Sequence, residues 1–164
     1  HMDQVGSLEQ PEPGWRDDVI SFASEPLTRS FSFCGAIQVR LFVSSEAEDT
    51  SFYVKVMEVF EDGTAVNIRG GITTLAFAGG ADSRQAYRPG EIVPLDVSLW
   101  DVDWQVREGS RIRVDVSSAH FPEYALHSNK PGGWAEQTEA VTARQTLYTG
   151  GSCIAGVCFP VTEE

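Results

Sequence analysis

The chain of 164 residues reads as all-β, an antiparallel sandwich or jelly roll, on three observations: apolar residues recur at every second position, helical periodicity is hard to find anywhere, and Pro/Gly/Asp turns interrupt the pattern at short intervals. Alternation with period two sends successive side chains to opposite faces of a strand. A chain built from such half-apolar strands needs a second layer to cover them.

In order along the chain, Val19 to Ala23 and Phe31 to Phe33 are the first short strands. Ile37, Val39, Leu41 and Val43 alternate with Gln38, Arg40 and Phe42, giving one wholly apolar face that belongs on a core. Phe52, Val54 and Val56 repeat the pattern, the turn signal Glu61-Asp62-Gly63 follows, and Ala65 to Arg69 returns antiparallel as a hairpin. Val93, Leu95, Val97 and Leu99 form the next strand. Ile112, Val114 and Val116 form another, with Arg111, Arg113 and Asp115 on its opposite face. A late strand carries Val141, Ala143 and Leu147, and the last runs from Cys153 to Val161. That makes at least eight short strands, separated by turns such as Arg88-Pro89-Gly90 and Glu108-Gly109-Ser110. Two irregular stretches are long, Gly79 to Tyr87 and Ala119 to Gln137, and loops of that length on a rigid scaffold tend to carry function or interfaces.

Residues 1–15 read as a scar and N-terminal extension, His1-Met2 having the form of a cloning remnant, and 16–164 as a single domain. A domain of this length buries roughly 70% of the surface its unfolded chain exposes. Twelve Lys+Arg against 24 Asp+Glu give a net charge of -12, which repels phosphate backbones and anionic lipid, so nucleic acid is not an expected partner. Nor is a membrane, since no apolar run reaches the roughly 20 residues that a spanning helix needs. The apolar neighbours Ile154, Val157 and Phe159 predict that Cys34, Cys153 and Cys158 are buried free thiols, which favours a reducing, cytoplasmic setting.

Chemistry is sparse. Ser117 or Ser118 with His120 and Asp115 is the sharpest candidate triad, but the G-x-S-x-G elbow is absent and Gly150-Gly151-Ser152-Cys153-Ile154 lacks its final glycine. No catalytic residue is assigned. His120 and His127 have no cysteine at zinc-ligand spacing, and Asp101 with Asp103, or Glu48-Asp49, read as turn carboxylates before they read as calcium ligands; no metal or other cofactor is called for. The residues expected to meet a ligand or partner are Trp134, flanked by Gly132-Gly133 and Ala135, with His120, Phe121 and His127 of the same long loop. Trp100 and Trp104 are assigned to the core.

Several spaced motifs in order carry a resemblance. Arg16-Asp17-Asp18-Val19, Ser24-Glu25-Pro26-Leu27, Val39-Arg40-Leu41-Phe42-Val43-Ser44-Ser45, Val59-Phe60-Glu61-Asp62-Gly63, Gly70-Gly71-Ile72, Arg88-Pro89-Gly90-Glu91 and the run Gly109 to Ser118 followed by Phe121-Pro122 resemble the C-terminal non-catalytic domain of X-Pro dipeptidyl-peptidases and cocaine-esterase-type acyl hydrolases, over about residues 16 to 161. The resemblance implies a β-sandwich jelly roll of galactose-binding-like topology. It also implies a catalytic triad lying in a separate α/β-hydrolase domain, none of whose residues maps here. The family's asparagine- and glycine-rich continuation after Phe-Pro is represented only loosely, by Ser128 to Gly133.

The expectation is therefore an inert accessory domain that packs on the α/β-hydrolase domain of a parent hydrolase and shapes its active-site cleft, with a bare face prone to self-association. The alternative is a stand-alone carbohydrate- or ligand-binding module.

Overall fold

A computed structural model of the protein describes residues 6–136 and 139–162, the Trp134 side chain excepted. Its strands are β1 (Glu9–Gln10), β2 (Ile20–Ala23), β3 (Phe31–Gly35), β4 (Gln38–Ser45), β5 (Ser51–Val59), β6 (Ala65–Thr74), β7 (Val93–Ser98), β8 (Val102–Val106), β9 (Arg111–Ser117), β10 (Gln145–Leu147) and β11 (Gly156–Cys158). All pair antiparallel. One sheet runs β1-β6-β5-β9-β2. In the second, β4 carries β7 on one edge, with β10 and β11 end to end on the other. β3 and β8 form a separate ribbon.

The alternation read from the sequence is what joins the layers. Val39, Leu41 and Val43 of β4 and Leu95 and Val97 of β7 meet Phe52, Val54 and Val56 of β5 and Val116 of β9 in one cluster, each at most 4% exposed. Each such side chain is worth roughly 1.5–3 kcal/mol. The β5–β6 hairpin turns where Glu61-Asp62-Gly63 places it: Gly63 adopts φ 90°, and the Asp62 Oδ1 accepts the Thr64 N–H at 2.9 Å. Glu58 keeps the parity of Phe52, Val54 and Val56 and so lies on the core face, 1% exposed. Its carboxyl group accepts the Trp104 indole N–H at 2.9 Å, the Arg107 N–H at 2.9 Å and the Ser110 hydroxyl at 2.8 Å. One acidic side chain thereby fastens β8 and the β8–β9 turn to the central strand.

Four readings need correction. Trp100 is not in the core but 74% exposed, because Leu99 takes the last inward position before the chain turns; Trp104 does pack against the core, opposite Phe33. The cysteines are free, yet Cys34 and Cys158 are exposed and Cys153 half-buried. Inward Phe33 and Val157 hold the core positions next to Cys34 and Cys158, and the pleat turns each neighbour outward. The late strand is only Gln145–Leu147, since Val141 donates its N–H to the Ser128 carbonyl and its own carbonyl accepts from the Asn129 side-chain amide. The last strand is only Gly156–Cys158. Two strands were not foreseen, β8 and the two-residue β1.

The outer face of the five-stranded sheet is not bare. Arg113 and Asp115 point there as the alternation requires, but are 2% and 8% exposed. Arg113 grips Asp115 through two hydrogen bonds of 2.8 Å and donates a third to the Pro11 carbonyl, while Ser21 donates to Asp115 at 2.6 Å. The N-terminal segment lies over this face on one side and the loop after β9 on the other.

Candidate functional site

The site grows from Tyr53, which faces outward on β5 between the core residues Phe52 and Val54 and lies over Gly70 of the neighbouring strand. There a Cβ would come within 2.2 Å of the phenol oxygen, so glycine is what lets the ring lie flat on the sheet. His120 stacks on that ring with centroids 4.1 Å apart and planes 2° from parallel, and Tyr124 closes against it at 5.8 Å. Between His120 and Tyr124 the chain turns, the Tyr124 N–H reaching the His120 carbonyl at 3.0 Å. The turn contains the cis Phe121-Pro122 bond and thrusts Phe121 outward, 70% exposed, with Leu126 exposed beyond it.

Burial and the nearby Lys55 ammonium hold the His120 imidazole below the ordinary histidine range, against the opposing pull of Glu123 at 3.2 Å. Burial likewise lowers Lys55, whose ammonium donates to Gln10 at 2.7 Å, and raises the Tyr53 phenol. These groups form a packed platform under the loop.

A second anchor holds the far half of the loop. Asp49, 1% exposed, sits between β4 and β5; its Oδ1 accepts the N–H groups of Thr50 at 3.0 Å and Ala76 at 3.1 Å, and its Oδ2 accepts Arg84 at 2.6 Å. His127 Nδ1 accepts the Asn129 N–H at 3.0 Å, which leaves the ring proton on Nε2, 3.6 Å from Asp49. Burial opposes ionisation of Asp49, but the His127 contact, the Ala76 amide and the Arg84 charge prevail and hold its pKa below the ordinary 3.8. Thr50 continues the chain of bonds, donating to Asn129 at 2.6 Å and accepting from Gln145 at 2.9 Å. The two long loops are thus tied to one carboxylate.

Of the expected contact residues, Phe121 is presented to solvent, whereas His120 and His127 act as anchors behind it; the Trp134 side chain lies outside the described residues. The candidate triad does not assemble. Ser117 donates to the Ala119 carbonyl at 3.0 Å, Ser118 to Gln145 at 2.6 Å, His120 faces Glu123 and Asp115 is held by Arg113 and Ser21. Asp49, read as a turn carboxylate before a calcium ligand, spends its oxygens on protein donors. Tyr53 and Arg84 were missed; only the outward parity of Tyr53 on β5 was visible beforehand.

The family model of the X-Pro dipeptidyl-peptidase C-terminal non-catalytic domain matches residues 8–155. Cocaine esterase of Rhodococcus sp. (strain MB1 Bresler) is 31% identical over 166 residues, taking in 100% of this chain and 29% of that protein. Among solved structures, an alpha-amino acid ester hydrolase superposes with TM-score 0.79 at 22% identity, over 91% of this chain and 26% of its own. An aminopeptidase from the marine sediment archaeon Thaumarchaeota archaeon does so with TM-score 0.80 at 20% identity, over 92% and 27%. These structures share the fold, and the chain spans little more than a quarter of each relative. Matched over most of its length by that family model and holding no assembled triad among its described residues, the chain belongs to the X-Pro dipeptidyl-peptidase C-terminal non-catalytic domain family.

Proposed function

We propose that this domain is the catalytically inert accessory layer of a serine hydrolase of the X-Pro dipeptidyl-peptidase or acyl-esterase type, packing on an α/β-hydrolase domain through the 119–130 loop and shaping its cleft. The observation that carries the reading is the doubly anchored presentation of Phe121. An exposed phenylalanine on a free loop would cost ordering entropy on docking, whereas one braced by the His120–Tyr53 stack and the Asp49 anchor arrives pre-organised. Aromatic anchors seated in a partner's pocket commonly contribute 2 kcal/mol or more, roughly thirtyfold in affinity. The names of the relatives, esterases and an aminopeptidase, support a reading in which the parent acts on acyl esters or peptides.

The test is calorimetric titration of this domain against the α/β-hydrolase domain of its own open reading frame. Phe121→Asp with Leu126→Asp should weaken association at least about tenfold. Unchanged affinity, or an open reading frame with no hydrolase domain, overturns the proposal.

A further inference from the structure

We propose that the open edge of the sandwich is a binding site for a neutral, apolar small molecule, an acyl chain or an aromatic ring. The inference is independent of the docking loop and shares no residue with it. Where β2 ends the large sheet and β10 and β11 end the smaller one, the layers do not close, and a cavity of about 390 Å³ remains, lined by Phe22, Leu41, Val116, Leu147, Ala155 and Val157 among others. At about 30 Å³ for each water-sized group, that is room for about a dozen non-hydrogen atoms.

The lining selects the ligand. Thr149 and the Cys153 thiol are the uncharged polar side chains at the cavity, and Arg40, which also borders it, commits its guanidinium to Asp96 at 2.7 and 2.9 Å on the opposite face of β4. A sugar would bury hydroxyls without partners here, and water is a poor filler because it needs two to four polar neighbours. The net charge of -12 disfavours an anionic amphiphile relative to a neutral one.

The cavity is also held open rather than left loose. Between β10 and β11 the chain leaves the sheet and returns. Its departure is fixed by the Tyr148 N–H on the Phe42 carbonyl at 2.8 Å and the Tyr148 hydroxyl on Ser44 at 3.0 Å, and its return by β11 pairing with β4. A turn from Gly150 to Cys153, closed at 3.0 Å, then sets Ile154 at the mouth, 79% exposed, across from the edge-strand residue Phe22. Collapse would break these bonds, so the lining forgoes dispersion contacts until an apolar guest supplies them.

1-Naphthylamine, a neutral dye small enough for this space whose emission shifts to the blue in apolar surroundings, tests the assignment on the whole chain. Saturable binding of one dye per chain is expected, with Ala155→Phe weakening it at least about tenfold. Because that variant can misfold, alkylation of the unmodified chain gives a second reading: the dye should slow iodoacetamide at Cys153 and leave the exposed Cys34 and Cys158 unaffected. Non-saturating emission, binding that survives in a folded Ala155→Phe chain, or no selective protection of Cys153 overturns the proposal. So does loss of the dye site on joining the hydrolase domain, which would make the cleft a contact between domains.

Discussion

Replacing Glu58 by leucine is expected to destabilise the domain by about 4 kcal/mol, although leucine matches the apolar neighbourhood. The change strands three donors at once: the Trp104 indole N–H, the Arg107 amide and the Ser110 hydroxyl all end on this carboxyl group, and Ser110 is itself 1% exposed. Each orphaned buried donor costs about 1–3 kcal/mol. The partial sum is tempered because Arg107 and its turn lie near solvent and can hydrate. Ser110→Ala, which removes one donor and leaves the acceptor partnered, should cost only about 1 kcal/mol. Urea unfolding of the two variants checks the ordering, and a Glu58→Leu loss below that of Ser110→Ala would contradict the assignment.

Asp49→Ala should follow at about 3 kcal/mol, a fall of roughly 6–12 °C in the unfolding midpoint for a chain of this size. It leaves the buried Thr50 and Ala76 amides without their acceptor. The Arg84 ion pair adds little to this sum, because its guanidinium is partly in water and solvent screens it. The loss should be local as well as global, with hydrogen exchange rising first in 75–87 and 119–130, the segments that the carboxylate joins. The pH dependence has a definite sign. A carboxyl group held below 3.8 in the folded state contributes stability that is fully present above that pH, and loses it as pH falls through the lower folded value. The difference between the parent chain and Asp49→Ala should therefore be constant above pH 3.8 and shrink below it. A difference that grows on acidification would show the carboxyl group to be strained rather than stabilised.

The sandwich was legible because its strands alternate cleanly: Val39, Leu41 and Val43, or Leu95 and Val97, can bury only one face. β8 was passed over although Val102, Trp104 and Val106 alternate with Asp103 and Gln105, because the tryptophans of this stretch were assigned to the core without a strand to carry them, and two-residue β1 is too short for any periodic signal. Trp100 and the cysteines misled for a shared reason, that hydrophobic surroundings in sequence do not say which side of a pleat a residue takes. The loop residues Phe121, His120 and His127 could be singled out as a group, but not their division of labour. Asp49 meets Ala76, Arg84 and His127 across 27 or more residues of chain, and no local pattern encodes such a meeting.

The account's central claim, that this domain supports catalysis without performing it, is tested most directly by incubating the chain with a chromogenic acyl ester and a chromogenic Xaa-Pro amide. It predicts release no faster than in buffer alone. Turnover above buffer that disappears in Ser118→Ala would contradict it.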